Sequence, residues 1–180
     1  MKKLLLHVCC GPCAVYVAKK LSQDYQVTLF FYNPNIYPSE EYQKRLAEVK
    51  RWSKKEGFEL VEGKFNQEDW FESVKGLENE PESGARCPVC FKFRLNESAK
   101  YAKENGFKVL ATTLTIGRNK KALVINPIGL NIAKQYGLEF IEADWKKGGG
   151  QEEACRLVKE EDMYRQHYCG CEFSHVSCNT

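Results

Sequence analysis

The stretch Lys2-Lys3-Leu4-Leu5-Leu6-His7-Val8-Cys9-Cys10-Gly11-Pro12-Cys13 decides how the chain is read. An apolar run of strand length stops at a turn of cysteine, glycine and proline, and residues 14–21 continue with apolar positions at helical spacing. The chain therefore opens strand, loop, helix. Residues 26–32 predict a second strand, broken by Asn33-Pro34-Asn35. Ser39 is expected to cap an amphipathic helix running to about residue 55, with Gly57 as its stop. The same reading predicts a short strand at 58–61, a helix at 68–74, an exposed connector at 77–86 and a helix at 89–104 begun by Pro88. A strand at 107–112, a helix at 122–136 stopped by Gly137 and a strand at 138–141 follow, before the loop Lys146-Lys147-Gly148-Gly149-Gly150. Strands and helices in alternation predict the α/β class: a single domain over residues 1–180, with a parallel sheet and helices on both faces. Ligands of such sheets bind beyond the carboxyl ends of the strands, and the loops at Cys9, Asn33, Thr113 and Asp144 all follow predicted strands.

Composition narrows the function classes. The chain has 180 residues, 28% charged and 43% hydrophobic, which excludes a disordered chain and is enough for a core without disulfide staples. Its net charge is only +3, so a nucleic-acid partner has to be held by local patches such as Arg118, Lys120 and Lys121. The basic residues Lys44, Arg45, Lys50, Arg51, Lys54 and Lys55 are balanced by Glu40, Glu41, Glu48 and Glu56, the pattern of a solvated helix face. No apolar run reaches the length of a membrane span or a signal-peptide core, so a cytoplasmic location and no membrane partner are expected. In that reducing compartment the nine cysteines read as metal ligands or catalytic thiols.

Three groups of cysteines stand out: Cys9, Cys10 and Cys13 after the first strand, Cys87 and Cys90 at a helix start, and Cys169-Gly170-Cys171 near the end. Two pairs can supply the four thiolates that zinc or an iron–sulfur cluster requires. Zinc sites prefer cysteines two to four residues apart, whereas the adjacent Cys9 and Cys10 can reach different metal atoms of a larger cluster, which favours iron and sulfur. Two other readings stay open: a zinc-containing RNA- or nucleotide-binding module, and a thioredoxin-like dithiol at Cys10-Gly11-Pro12-Cys13. Gly170 lets the backbone bring Cys169 and Cys171 together, as a redox-active pair or as further ligands. Cys155 and Cys178 carry no assigned role.

Five separated stretches carry a family resemblance. They are His7-Val8-Cys9-Cys10-Gly11-Pro12-Cys13, Arg86-Cys87-Pro88-Val89-Cys90-Phe91 with Arg94, Thr112-Thr113-Leu114-Thr115, Asp144-Trp145-Lys146-Lys147, and Tyr164-Arg165-Gln166-His167-Tyr168-Cys169-Gly170-Cys171-Glu172-Phe173-Ser174. Through them the chain resembles the cobalamin-independent epoxyqueuosine reductases across essentially its whole length. The resemblance implies a fold similar to the adenine nucleotide α-hydrolases, and removal of the epoxide oxygen from epoxyqueuosine in the tRNA anticodon loop. It implies a [4Fe-4S] cluster on Cys9, Cys10, Cys87 and Cys90, and a redox-active pair at Cys169 and Cys171. It also implies a second metal, a mononuclear iron, for which Cys13 and Asp144 are the candidates. An electron donor is required that the sequence does not identify. The chain departs from the family pattern at Trp145, where Phe is common, and at His167, and neither touches a proposed ligand. Nucleotide hydrolases of this fold carry a Ser-Gly-Gly-x-Asp-Ser loop where this chain has Cys9-Cys10-Gly11-Pro12-Cys13, so ATP use is not expected.

The C-terminal tail, from about residue 160 to 180, is expected to pack on the active site. Asp144, His7 and Tyr168 are candidates for moving protons. Tyr37, Trp70, Trp145, Tyr164 and Tyr168 are candidates for stacking on bases, although aromatic residues of a domain this size are mostly core. Arg118, Lys120, Lys121, Lys146 and Lys147 are candidates for phosphate contacts.

Overall fold

A computed structural model of the chain describes residues 1–175; Cys178 lies outside the described residues. Five strands, β1 (Lys2–Val8), β2 (Tyr25–Phe31), β3 (Glu59–Glu62), β4 (Val109–Thr112) and β5 (Glu139–Phe140), form one sheet in the order β3-β2-β1-β4-β5, and every pairing is parallel. The helices are α1 (Gly11–Leu21), α2 (Ser39–Glu56), α3 (Gln67–Ser73), α4 (Arg86–Glu104), α5 (Ala122–Tyr136), α6 (Gly150–Glu160) and α7 (Glu172–His175). A central parallel strand is covered on both faces, so β1 has to be apolar on successive residues. Leu4, Leu6 and Val8 enter a core with α1, α2 and α6, while Leu5 enters a second core with α4 and α5. Each of these leucines is fully buried, a contribution of roughly 1.5–3 kcal/mol apiece. A smaller cluster of Trp70, Val74, Cys90 and Cys171 joins α3, α4 and the tail.

The predicted elements are present, with differences at their ends. Pro38, not Ser39, is the N-cap of α2, and no side chain caps it. Helix α4 begins at Arg86, so Cys87 and Cys90 both lie in its first turns. β5 is only two residues long because it pairs with nothing but Val109 and Leu110 of β4. The α5–β5 approach is close: a Cβ on Gly129 would stand 2.2 Å from Phe140 Cζ. The charged face of α2 is not all solvated, since Arg45 is 2% and Glu41 7% exposed. Among the described residues no helix is long and apolar enough to cross a membrane.

The strand order fixes where a ligand sits. Connections from β1 lead outward to β2 and β3, and later return to β4 and β5 on the other side, so the carboxyl ends of β1 and β4 flank the topological switch point. Cys9 follows β1 and Thr113 follows β4.

Candidate active site

The site is built first from the switch point. The Cys9 amide donates to Thr113 Oγ1 at 3.4 Å, and Cys9 Sγ lies 3.6 Å from the same oxygen. Cys10 is the N-cap of α1 and Cys13 lies in its first turn, where the positive end of the helix dipole favours anionic sulfur. The Sγ atoms of Cys9, Cys10 and Cys13 all lie within 4.8 Å of one another. Hydrogen bonds from Cys10 and Cys13 hold the Cys9 thiol well below its usual pKa, against the cost of its burial and with help from the Arg94 charge. For Cys10, a hydrogen bond from Cys13 pulls down, but the contact with Cys9 and burial push it up to about 12. Gln166 Nε2 donates to Cys10 Sγ at 3.0 Å, bringing the tail onto this group.

The second group is at the start of α4. The Ser83 amide donates to Cys87 Sγ at 3.2 Å, and burial pushes both Cys87 and Cys90 thiols up. Cys90 packs with Cys171, and Cys169 adjoins that cluster. Cys87 and Cys90 do not join the tight group of Cys9, Cys10 and Cys13. Arg94 relates the two groups: it is buried, its Nη2 donates to Asn33 Oδ1, and its charge bears on Cys9 and on Cys90. Asn33 in turn donates to the Val8 carbonyl at 2.9 Å, tying this guanidinium to the end of β1. Arg94 has no carboxylate partner, and its Nε has no hydrogen-bond partner, among the described residues. A buried cation without a carboxylate calls for another anion, and thiolates, or a cluster they hold, answer it. The donor set therefore fits a metal or iron–sulfur centre.

The tail supplies the remaining wall. Arg45, held by Glu41 at 2.7 Å, donates to the carbonyls of Cys169 and Tyr168 at 3.1 Å each. The Tyr37 amide donates to the Gly170 carbonyl at 2.8 Å, and Ile36 bridges to Cys171. A cavity of about 660 Å³ results, lined by Cys9, Cys13 and Cys169 and by Arg45, Arg94, Arg118, Lys120 and Arg165, with Glu82 as the one carboxylate among its described lining residues. Arg86 holds the connector above it, donating from Nη1 to the carbonyls of Leu77, Glu78 and Glu80 and lying over the Phe173 ring.

A profile of the family described as Epoxyqueuosine reductase QueH matches residues 4–177. The chain belongs to that family. Relatives named "Epoxyqueuosine reductase QueH" include those of Acinetobacter baylyi, 42% identical over 96% of this chain and 80% of its own length, and Thermotoga maritima, 35% identical over 97% and 91%. That of Haemophilus influenzae is 40% identical over 96% of this chain and 71% of its own. Among solved structures, a predicted subunit of tRNA methyltransferase from Methanocaldococcus jannaschii is similar in fold, with a TM-score of 0.56, 15% identity and 88% of each chain covered.

The geometry redistributes several roles read from sequence in this QueH-family chain. His7 is fully buried between Thr112 Oγ1, at 2.9 Å, and the Tyr32 carbonyl, at 3.2 Å; burial, with Arg94, lowers its pKa to about 3, so it is a neutral structural residue. Tyr168 donates its hydroxyl to the Tyr37 carbonyl. Asp144 is paired with Lys146 at 3.2 Å and does not line the cavity. Lys146 also donates to the Thr115 and Lys120 carbonyls at 2.7 Å each, and Lys120 is turned inward to Cys169, so neither is a free surface charge. Trp70 is core, and Trp145 Nε1 donates to the Thr112 carbonyl at 2.9 Å. Sequence reasoning missed Arg45, Glu82 and Gln166. Glu41 and Arg45 stand at i and i+4 beside the apolar positions Tyr42, Leu46 and Val49, and that alignment is the signal that could have found them.

Proposed function

We propose that this chain reduces epoxyqueuosine in the tRNA anticodon loop, with an iron–sulfur centre at the rim of the sheet. The supporting observation is the meeting of Cys9, Cys10 and Cys13 in a cationic cavity that Cys169 also lines. A [4Fe-4S] cluster would draw on Cys9, Cys10, Cys87 and Cys90; four irons space their thiolates more widely than a single ion does, which suits ligands from two separate groups. Such a cluster supplies electrons singly. A second iron would fall to Cys13, and Asp144 would have to give up Lys146 to join it.

The remaining work is done by the chain itself. Turning an epoxide into an alkene takes up two electrons and two protons and releases water. The pair Cys169 and Cys171 gives up the same number of each on forming a disulfide, which suits a redox role. A cavity of about 660 Å³ is of the size that takes a nucleoside. Its arginines suit the flanking phosphates, and a base swung out of the anticodon loop is accessible without breaking a duplex. The tail, held by Arg45 and Gln166, forms one wall of the cavity beside the thiols.

Anaerobic incubation of the iron-loaded protein with epoxyqueuosine-containing tRNA and dithionite is expected to yield queuosine. No conversion, under conditions where the Acinetobacter baylyi relative turns over, would refute the assignment. The tight three-thiol group also suits one zinc ion, the arrangement of a binding module without redox chemistry; zinc without acid-labile sulfide in active-site-intact protein would favour that reading.

A further inference from the structure

Lys120 is half-buried and turned inward where a loop lysine ordinarily keeps its ammonium in water. Its side chain is 11% exposed, and Nζ lies 3.1 Å from Cys169 Sγ and 3.2 Å from Glu82 Oε1. It also stands 5.6 Å from the centre of the Phe91 ring. The backbone is shaped to deliver it there. The Lys120 amide donates to the Gly117 carbonyl at 3.0 Å, its own carbonyl accepts from Lys146 Nζ at 2.7 Å, and a Cβ on Gly117 would stand 2.8 Å from Lys120 Cγ. Burial lowers the ammonium pKa, but Cys169 and Glu82 together outweigh it, so the group stays charged.

The two tail cysteines are unequal. Cys169 faces the cavity beside Lys120, whereas Cys171 is 6% exposed, packed with Trp70, Val74 and Cys90 and bridged to Ile36. Arg86 is the cation whose charge bears on Cys171, and its hydrogen bonds go to backbone carbonyls. We propose that Lys120, braced by Glu82, is a positioning residue that makes Cys169 the cavity-facing, reactive member of the pair, with Cys171 as its buried partner. This deepens, and rests on, the redox role given above to the two thiols. The consequence is a direction of exchange. When the pair has lost two electrons and two protons to form its S–S bond, an external dithiol restores it by attack on the Cys169 sulfur. The Cys171 sulfur leaves and takes up a proton, and the second external thiol then displaces Cys169, which leaves beside the ammonium and takes up the second proton while the dithiol departs as a disulfide.

Pulsed alkylation of the full chain with iodoacetamide, read cysteine by cysteine by mass spectrometry, tests this at a single pH. In the wild type, Cys169 is expected to react at least about tenfold faster than Cys171. Lys120→Met is expected to slow Cys169 by about fivefold or more, leaving Cys155 unchanged, and Lys120→Arg to restore most of the rate. Equal rates at Cys169 and Cys171 in the wild type, which needs no variant to fold, or an unchanged Cys169 rate in a folded Lys120→Met protein, would overturn the proposal. Full turnover by both Cys169→Ser and Cys171→Ser would instead overturn the redox role of the pair and leave the order of alkylation standing.

Discussion

Replacing Gly170 with alanine puts the seating of the tail to a quantitative test. Gly170 has φ +101 between the two tail cysteines, a left-handed angle at which an L side chain is strained by roughly 1–2 kcal/mol. A Cβ there would also stand 2.9 Å from Arg45 Nη1 and 3.0 Å from Ile36 Cγ1. Arg45 is 2% exposed and cannot swing into water, so relief comes from giving up a bond to the Cys169 or Tyr168 carbonyl, about 1.5 kcal/mol for a charged donor. The sum, about 3 kcal/mol, lowers the occupancy of the seated tail by as much as roughly 100-fold where that seating is marginal. Turnover of epoxyqueuosine-containing tRNA is accordingly expected to fall by about 10- to 100-fold. Because the loss is local, the melting temperature drops by no more than about 6–12 °C, the shift for the whole 3 kcal/mol in a domain of this size. Gly76→Ala is the control: φ is +83 there too, but nothing lies within 4 Å of its Cβ, so it bears strain without collision and keeps turnover. Wild-type turnover by Gly170→Ala would refute the reasoning.

Other perturbations act on separate parts of the site. Trp145→Phe removes the bond to the Thr112 carbonyl and is expected to cost about 1 kcal/mol, or roughly 2–4 °C in thermal melting, with the cysteine groups unaffected. Gly129→Ala drives a methyl into the Phe140 ring and is expected to destabilise by about 1–3 kcal/mol in urea titration, without loss of bound metal. Arg94→Met removes the buried cation that the thiolates answer and leaves Asn33 Oδ1 without its donor; stability is expected to fall by about 3–5 kcal/mol in urea titration, and the midpoint potential of bound iron to shift to more negative values in a redox titration.

The layers of the fold were legible because β1 and β2 announce themselves as continuous apolar runs and Gly57, Gly106 and Gly137 end helices where glycine is expected to. The ends differ in two places: β5 stops after two residues, paired only with Val109 and Leu110 of β4, and α4 starts early because the proline at its first turn needs no amide bond. The cysteine groups were legible from spacing alone. What spacing cannot report is which charges a distant segment covers. Arg45 reads as one more basic residue of a salt-laced helix until the carbonyls of residues 168 and 169 arrive on it. Lys120 likewise reads as a solvated loop lysine, with phosphate contact as the alternative, until Cys169 and Glu82 turn it inward. His7 reads as a satisfied core histidine, with a proton carrier as the alternative, and the cross-strand Thr112 at its Nδ1 agrees with the first.

Whether thiolates from the first strand end and from the start of α4 serve one inorganic centre is tested most directly by iron and acid-labile sulfide analysis of anaerobically purified protein, wild type beside Cys9→Ala and Cys87→Ala. About four irons and four sulfides per chain are expected in the wild type, with most of both lost in each variant alike. Sulfide-free zinc in the wild type, or full iron and sulfide retained by either variant, would contradict a shared centre.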